Sequence, residues 1–267
     1  MRKKVTIDGK IYLVHSDGNY LKDMKYVYDI NEIFLYKSLV SINSVVLDVG
    51  ANIGLTSIFF AENAKFVHSF EPSNSTFGIL ASNLEILGNE KYKLHNFGFG
   101  SKEKKVELFY PSIDRASAFI SRNIVPHSDY VREMVCIKTL DQFCLKELQN
   151  FDFMKLDVEG FELEVLLGAK KMIRRIKPVV SMEMNHFCLN AFQDVSIPTF
   201  INRLRDIFPK LYAIEGKSYL DLHSVNDTYH VTWDHVVNGR YKTIIGAFHE
   251  EQITRFRSNF SYGISSG

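Results

Sequence analysis

The feature that most constrains the fold is an apolar run that ends in two closely spaced glycines. Residues 45–54 read Val-Val-Leu-Asp-Val-Gly-Ala-Asn-Ile-Gly. Continuous β-branched and apolar residues are typical of a central parallel strand, because both faces of such a strand are covered. Gly50 and Gly54 lack a Cβ, so the backbone can turn sharply there and approach a ligand closely. The segment therefore predicts a buried strand, a tight turn and a helix.

The spacing around this turn is Asp-x-Gly-x-x-x-Gly, which differs from the Gly-x-Gly-x-x-Gly fingerprint of dinucleotide-binding proteins. Asp48 comes at the carboxyl end of the predicted strand, where open α/β sheets bind ligands. A carboxylate there suits a ligand with an amino group or hydroxyls better than one with phosphate anions. The spacing favours S-adenosylmethionine over NAD, while a tight strand-to-helix turn without a ligand is the structural alternative.

A second acidic residue follows at a distance that suits ribose binding. Residues 65–70 predict the next strand, and Glu71 comes directly after it, 17 residues beyond Gly54. An acid about 20 residues past such a glycine turn can accept hydrogen bonds from both ribose hydroxyls. The alternative interpretation, a solvated acid at the end of a strand, is less favoured with the glycine turn in front.

Composition excludes several classes of protein. The 267 residues are 46% hydrophobic and 24% charged, as in an ordinary globular domain. The net charge of +1 gives no electrostatic reason to expect binding to nucleic acid. The three cysteines match neither a disulfide framework nor a zinc pattern. No apolar run reaches the roughly 18 residues of a membrane span, and no signal-peptide core follows the N-terminus, so we expect a cytoplasmic protein. The basic residues at 170–177 are interpreted as a solvated face that complements a helix dipole.

Local signals divide the rest of the chain. Residues 5–14 predict a hairpin with an Asp-Gly turn, and a helix capped at Asp29 follows with Ile30, Ile33 and Phe34 on one face. We therefore expect an N-terminal extension at 1–43 and one large domain at 44–267. Within it the pattern predicts strands at 92–97, 178–186, 211–215 and 243–249, a strand with its carboxyl-terminal loop at 151–160, a helix at 196–208, and polar connections at 111–133 and 223–242. The tail after residue 257 is expected to fray.

Five motifs in order resemble the FkbM-type family of S-adenosylmethionine-dependent methyltransferases over about residues 44–250. They are the glycine turn, Glu71-Pro72, Thr139-Leu140-Asp141, the stretch Lys155-Leu156-Asp157-Val158-Glu159-Gly160, and the strand from Pro178 to Glu183. The turn and the Asp-Val-Glu-Gly loop are the most specific of the five.

The resemblance implies an α/β fold of the class I methyltransferase type, which is a Rossmann-like three-layer sandwich. Its sheet has seven mostly parallel strands in the order 3-2-1-4-5-7-6, with strand 7 antiparallel. Family members typically methylate hydroxyl groups, often on sugars, glycolipids or natural products. The resemblance thus implies an O-methyltransferase with a small-molecule or glycan acceptor, and acceptor specificity is expected in 111–133 and 223–242. It does not fix the oligomeric state, for which a homodimer is one option.

For the cofactor, Glu71 is predicted to bind the ribose, and Asp48, Gly50, Asn52 and Gly54 to surround the methionine moiety. Phe97 and Gly98, just past the third strand, are predicted to edge the adenine.

The predicted catalytic residues lie at the exits of strands 4 and 5. Asp157 leads as the base that removes the acceptor proton, and Glu159, Glu183 and His186 follow. Glu159 and Glu162 could equally cap the helix that they open. Asp157, Glu183 and His186 could also share a divalent cation such as magnesium, although nothing in their spacing requires one.

Two other functions remain open. An NAD-dependent sugar oxidoreductase would need three close glycines and a catalytic pair such as Tyr-x-x-x-Lys, and neither is evident. A catalytically degenerate S-adenosylmethionine-binding module is disfavoured, because Asp48, Glu71 and Asp157 are all intact. A DNA or RNA methyltransferase would show Asn/Asp-Pro-Pro-aromatic after strand 4, where this chain has Asp157-Val158-Glu159-Gly160.

Overall fold

The computed structural model describes residues 2–16, 20–23, 25–88, 90–112, 115–124 and 129–264. Its strands are β1 Arg2–Ile7, β2 Lys10–His15, β3 Val45–Val49, β4 Phe66–Phe70, β5 Tyr92–His95, β6 Gly98–Phe99, β7 Lys104–Pro111, β8 Tyr130–Lys138, β9 Phe153–Leu156, β10 Val179–Glu183, β11 Lys210–Glu215, β12 Ser218–Asp221, β13 Thr243–Ala247 and β14 Ser261–Tyr262. Its helices are α1 Tyr20–Asp23, α2 Ile30–Leu39, α3 Leu55–Asn63, α4 Asn74–Leu84, α5 Leu140–Glu147, α6 Glu162–Leu167, α7 Lys170–Ile176, α8 His186–Gln193, α9 Ile197–Arg205, α10 Val225–Asn238 and α11 Glu250–Asn259, with a 3-10 turn at Glu85–Leu87.

The central sheet has the predicted topology. Its order is β14-β12-β11-β13-β10-β9-β3-β4-β5, in which β5, β4, β3, β9, β10, β13 and β11 reproduce the order 3-2-1-4-5-7-6. Strand β13 runs antiparallel to both β10 and β11, as expected of strand 7. The α/β fold class is therefore confirmed, and β12 and β14 extend the seven predicted strands to nine.

Alternation along the inner strands builds a core on each face of the sheet. Leu47 and Met154 point into one apolar cluster with the helices of that face, whereas Val46 and Phe153 point into the other. All four side chains are fully or almost fully buried, which explains the continuous apolar pattern of β3. The result is a three-layer arrangement of helices, sheet and helices.

The N-terminal segment forms the predicted hairpin, with Asp8 and Gly9 both at positive φ in the turn. Asp29 caps α2 by accepting a hydrogen bond from the Asn31 backbone N–H at 2.7 Å. The predicted inner face of α2 was wrong in one position, because Ile30 is 74% exposed whereas Ile33 is buried. The N-terminal segment shares an apolar cluster with α3 and α11. The domain boundary between residues 43 and 44 therefore stays a prediction, because no gap in the packing marks it.

Several local predictions were wrong. The single helix predicted after the Asp-Val-Glu-Gly loop is instead two helices, α6 and α7, that meet at Gly168, where a Cβ would lie only 2.0 Å from the Gly100 carbonyl oxygen. The predicted strand 178–186 ends at Glu183, and the unpredicted helix α8 follows. The polar connection at 223–242 is largely helix α10. The tail does not fray at 257, since α11 continues to Asn259 and β14 pairs with β12.

Strands β6, β8 and β7 form a separate three-stranded sheet beside the carboxyl ends of β4 and β5. It positions part of the 111–133 connection, because Phe109 and Phe119 exchange backbone hydrogen bonds of 2.9 Å. Residues 113–114 and 125–128 of that connection lie outside the described residues. In the part of the chain that the structure describes, no helix combines the length and apolar character needed to span a membrane.

Candidate active site

A cavity of about 240 Å³ opens at the carboxyl ends of β3, β4, β9 and β10. This is the point where the strand order reverses, because the chain runs from β3 outward through β4 to β5 and then returns to β9 on the other side. Ligands of open α/β sheets bind at such a switch point. Of the predicted site residues, the cavity is lined by Gly50, Asn52, Glu71, Gly98, Asp157, Glu159 and Glu183.

The glycine turn brings the backbone close to the neighbouring strand. Gly50 has φ +83°, and a Cβ on it would lie 1.8 Å from the Asp157 carbonyl oxygen, so no other residue fits. The N–H groups of Gly50 and Ala51 both donate to the Phe70 carbonyl. Gly54, with φ +92°, packs against Leu80 beneath the turn and does not line the cavity. The turn is therefore held rigidly at the cavity wall.

Glu71 is held between the turn and the start of α4. One carboxylate oxygen accepts a hydrogen bond from the Asn52 N–H at 3.0 Å, and the other accepts one from the Ser73 N–H at 2.9 Å. Each carboxylate oxygen has two acceptor sites, so both keep capacity for a ligand hydroxyl. Burial raises the pKa of Glu71 to about 7, although these two backbone hydrogen bonds oppose the rise. Glu71 is thus a buried acceptor whose charge depends on pH near neutrality.

Of the two residues predicted to edge the adenine, only Gly98 lines the cavity. Phe97 does not line the cavity. The Lys138 ammonium lies 3.9 Å from the centre of the Phe97 ring. Phe99 lines the cavity instead and packs against Phe70 at 4.6 Å between ring centres. Phe99 is only 2% exposed, so a small part of its ring borders the cavity.

Asp48 lies beneath the cavity and is fully buried. One of its oxygens accepts a hydrogen bond from the Ser57 hydroxyl at 2.6 Å, and the other lies 3.8 Å from the Lys155 ammonium. Lys155 also contacts Asp157 at 2.8 Å. Burial lowers the pKa of Lys155, but Asp157 and Asp48 outweigh that effect and raise it well above its usual value. Lys155 is consequently a charged side chain that links the buried Asp48 to the cavity.

Three carboxylates meet where β9 and β10 end. Asp157, Glu159 and Glu183 place one oxygen each within 4.8 Å of one another. Burial raises the pKa of Glu183 well above its usual value, and repulsion from Asp157 and Glu159 raises it further. One Glu183 oxygen is buried without a hydrogen-bond partner among the described residues. Such a group offers oxygen ligands to a hard divalent cation, or a carboxylate that accepts a proton.

Two other predicted residues are placed away from the cavity lining. His186 begins α8, where its backbone N–H donates to the ring of His235 at 3.2 Å. Neither Glu159 nor Glu162 caps α6 with its side chain. Glu162 instead closes the loop in front of the helix, because it accepts hydrogen bonds from the N–H groups of Val158 and Gly160. Glu159 accepts a hydrogen bond from the Cys188 thiol at 3.2 Å.

A smaller cavity of about 120 Å³ adjoins the first and shares Lys155, Asp157 and Glu183 with it. Its other walls include Glu32 of α2 and Lys242, and most of its lining residues are polar. Tyr28, just before α2, lines the larger cavity. The N-terminal segment therefore contributes walls to both cavities.

A family model described as the methyltransferase FkbM domain matches residues 48–215, which is more than half of the chain. The chain belongs to the FkbM methyltransferase family. The match begins at Asp48 and ends with β11, so the N-terminal segment that lines both cavities lies outside it.

Individual relatives of this FkbM family member are distant. A protein named methyltransferase 1 from Beauveria bassiana (strain ARSEF 2860) is 26% identical over 145 residues, covering 47% of this chain and 58% of the relative. A solved FkbM methyltransferase from Methylobacillus flagellatus KT is 18% identical with a TM-score of 0.45, over 66% of this chain and 42% of that one. An rRNA methylase from Streptococcus thermophilus is 11% identical with a TM-score of 0.45, over 82% and 95% of the two chains. The chain thus spans about half the length of the first relative in each comparison.

Sequence reasoning missed three residues that line the cavities, Lys155 within the matched FkbM domain and Tyr28 and Glu32 before it. Lys155 stands in the middle of a buried strand, and a lysine is almost never buried without a partner, so its position was a usable signal. Tyr28 and Glu32 reach the cavities only through the packing of α2, which no local pattern specifies.

Proposed function

We propose that this chain is an S-adenosylmethionine-dependent methyltransferase that methylates a hydroxyl group of a sugar, a glycan or a related metabolite. The observation that carries the proposal is the cavity at the switch point, which combines the rigid Gly50 turn and the Glu71 acceptor with three carboxylates at the ends of β9 and β10. Membership of the FkbM methyltransferase family supports the reaction class.

The donor set of the cavity fits S-adenosylmethionine. Glu71 retains acceptor sites for two ribose hydroxyls, and Gly98 and Phe99 form an apolar part of the wall beside it for adenine. The acidic lining beyond the turn attracts the positive charges of the sulfonium and the amino group, whereas it would repel the pyrophosphate of NAD. The carboxylates thus support S-adenosylmethionine over NAD.

When bound, S-adenosylmethionine supplies a methyl group on positively charged sulfur; the acceptor oxygen would bond to the methyl carbon in line as the carbon–sulfur bond breaks, which leaves neutral S-adenosylhomocysteine. The chain must orient that oxygen and remove its proton. We assign the proton to Glu183, because it lines both cavities, has an unpartnered oxygen and has a raised pKa. Asp157 is a weaker candidate for the base than its position in the sequence suggested, since its carboxylate forms an ion pair with the Lys155 ammonium at 2.8 Å.

The smaller cavity supports a hydroxylated acceptor. Its wall presents Glu32 and Lys242 opposite the shared Lys155, Asp157 and Glu183, so hydroxyl groups on a compact ring would find both donors and acceptors. Because the two cavities meet at Glu183, an acceptor hydroxyl there would lie beside both the proposed base and the methyl donor.

Asp157, Glu159 and Glu183 also form the only set of carboxylates in the described residues whose geometry suits a cation, and His186 is not part of it. The Lys155 ammonium already supplies a positive charge at this position. We therefore propose catalysis by proton transfer to Glu183 without a required metal.

The test begins with calorimetric titration of the purified chain with S-adenosylhomocysteine, with NAD as the control ligand. We expect micromolar binding of S-adenosylhomocysteine, no binding of NAD, and loss of binding in Glu71→Ala. Transfer of labelled methyl from S-adenosylmethionine to a panel of methyl glycosides then tests the acceptor class, with the matching deoxy sugars as controls. Binding of NAD alone would refute the proposal, and binding of S-adenosylhomocysteine without any turnover would favour the degenerate binding module.

A further inference from the structure

A second and larger cavity lies outside the proposed active site. It measures about 460 Å³, within the range of small-molecule sites, and lies between α6, α7, the end of α8 and α9. Buried or half-buried apolar side chains make up much of its inner lining, including Leu163, Leu166, Ile173, Val195 and Ile207. An apolar surface of this kind accommodates a hydrocarbon chain.

The rim of the same cavity is positively charged. Arg122, Lys170, Arg174 and Arg203 all line it, against only two carboxylates. One of these, Glu164, is already engaged, since it pairs with Arg122 at 2.6 Å and accepts a hydrogen bond from Ser101. Three cations and Asp206 remain, and in the described part of the chain none of those three cations has an ion pair or hydrogen bond.

This arrangement divides the basic cluster of α7 in two. Lys170 and Arg174, four residues apart and therefore on one face of the helix, line the cavity. Lys171 does not line it, and Arg175 turns away to donate to the Gln149 carbonyl. A solvated helix face explains the second pair but not the first, which stands over an apolar cavity.

A buried polar group provides an independent sign of a ligand. Gln193, 2% exposed, lines the cavity at the end of α8 and donates through its amide nitrogen to the Ile120 carbonyl. Its amide oxygen is buried and has no hydrogen-bond partner among the described residues. A buried acceptor without a partner is costly, so a hydrogen-bond donor is missing at this end of the cavity wall.

We propose that this cavity binds a single-chain anionic amphiphile, with its hydrocarbon chain on the apolar inner surface and its phosphate or carboxylate head group at Lys170, Arg174 and Arg203. The proposal is independent of the methyl donor and its acceptor. The two sites nevertheless share one loop, because Glu159 lines the first cavity and Gly160 the second.

The test is calorimetric titration with octyl phosphate and octanoate below their micelle concentrations. Inorganic phosphate and octan-1-ol serve as controls that lack the chain and the charge. We expect at least one of the two anionic amphiphiles to bind about 100-fold more tightly than inorganic phosphate, because burying several methylene groups accounts for that ratio. The comparison of octyl phosphate with octanoate identifies the head group. Equal binding of octan-1-ol, equal binding of inorganic phosphate, or no binding of either amphiphile would overturn the proposal.

Matched variants locate the ligand. Lys170→Gln combined with Arg174→Gln should weaken binding about fivefold to tenfold, as expected for two exposed charges. Lys171→Gln, one residue along the same helix, should change it less than about twofold. Thr199→Trp, an exposed position on the lining, should abolish binding by filling the cavity. Each variant should keep the melting temperature of the wild type, and equal effects of the 170/174 and 171 changes would contradict the assignment.

Discussion

Protonation of Glu71 should control the affinity of the proposed site for S-adenosylhomocysteine. Burial raises the pKa of Glu71 to about 7 in the free protein. Ribose hydroxyls that donate hydrogen bonds to this group bind the carboxylate better than the acid, because a protonated carboxyl offers fewer acceptor sites. Affinity should therefore fall as the pH falls through 7.

The size of the effect follows from the carboxylate fraction. With a pKa of about 7, that fraction is about nine-tenths at pH 8, about one-tenth at pH 6 and about one-hundredth at pH 5. If the acid form binds negligibly, affinity should drop about tenfold from pH 8 to pH 6 and about ninetyfold by pH 5. These ratios correspond to about 1.4 and about 2.7 kcal/mol.

The assay is calorimetric titration with S-adenosylhomocysteine at pH 5, 6, 7 and 8, on the wild type and on Glu71→Gln. Glutamine cannot be charged, so this variant should bind about 100-fold more weakly than the wild type at pH 8 and should show little change with pH. Any pH dependence that remains in Glu71→Gln belongs to the ligand or to other groups, and is subtracted.

Glu133→Gln is the matched control. Glu133 is a second acid at the start of α4, where it accepts hydrogen bonds from Ser73 and Asn74, but it does not line the cavity. Its charge contributes to the raised pKa of Glu71, so the control should keep the pH dependence and move it to slightly lower pH. Affinity that is flat between pH 5 and pH 8 in the wild type, or an equal loss in both variants, would refute the reasoning.

Three further substitutions test other parts of the structure. Gly50→Ala should cost several kcal/mol of unfolding free energy in urea denaturation, because its Cβ would lie 1.8 Å from a carbonyl oxygen, whereas Gly78→Ala, in open space on α4, should stabilise by up to about 1 kcal/mol; equal effects would contradict the geometry. Glu183→Gln should lower methyl transfer about 100-fold or more with S-adenosylhomocysteine affinity intact, and wild-type rates should rise with pH as Glu183 loses its proton, while His186→Ala should stay within a few-fold; the reverse ranking would exclude Glu183 as the base. Lys155→Met should lower the free energy of unfolding by about 3 kcal/mol at pH 7, because the buried Asp48 carboxylate loses its cationic partner. The loss should become smaller at lower pH as the Asp48 carboxyl is protonated, and an unchanged midpoint of urea denaturation at pH 7 would contradict the ion pair.

The order of the central sheet could be predicted because its signals are local and redundant. The apolar run of β3, the glycines after it and the acid after β4 all specify the same arrangement, and parallel strands joined by helices leave few topologies. Glu71 reaches the cavity for the same reason, since the carboxyl end of β4 lies beside the turn after β3. These residues depend on strand direction and register, which the sequence pattern carries.

Helix α10 could not be predicted from apolar periodicity. Only Val231, Asp234 and His235 are buried along its length, and the segment is rich in β-branched residues, Asn and Asp, which are poor helix formers. Its ends carried a weaker signal, because Ser224 caps the first turn and Gly239 ends the helix in the left-handed conformation. These two capping residues would have predicted α10 even though its apolar periodicity is weak.

The break between α6 and α7 and the walls contributed by Tyr28 and Glu32 are tertiary in origin. Gly168 lies against the Gly100 carbonyl, which is far away in the sequence. Tyr28 lines the larger cavity and Glu32 the smaller one only because the segment around α2 packs on the core. No local sequence pattern encodes such contacts, so they could not be predicted from the sequence.

The burial of Lys155 explains how Asp48 can influence the site without lining it. Register places Asp48 of β3 beside Lys155 of β9, and the next side chain on the same face of the chain, two residues on, is Asp157. A lysine between two carboxylates stays charged in this position, and it fixes the Asp157 carboxylate at the junction of the two cavities. We therefore predict that the aspartate of the glycine-turn motif positions Asp157 through Lys155, so that Asp48→Asn lowers turnover more than it lowers S-adenosylhomocysteine affinity. An equal loss of both would indicate instead that Asp48 supports only the turn.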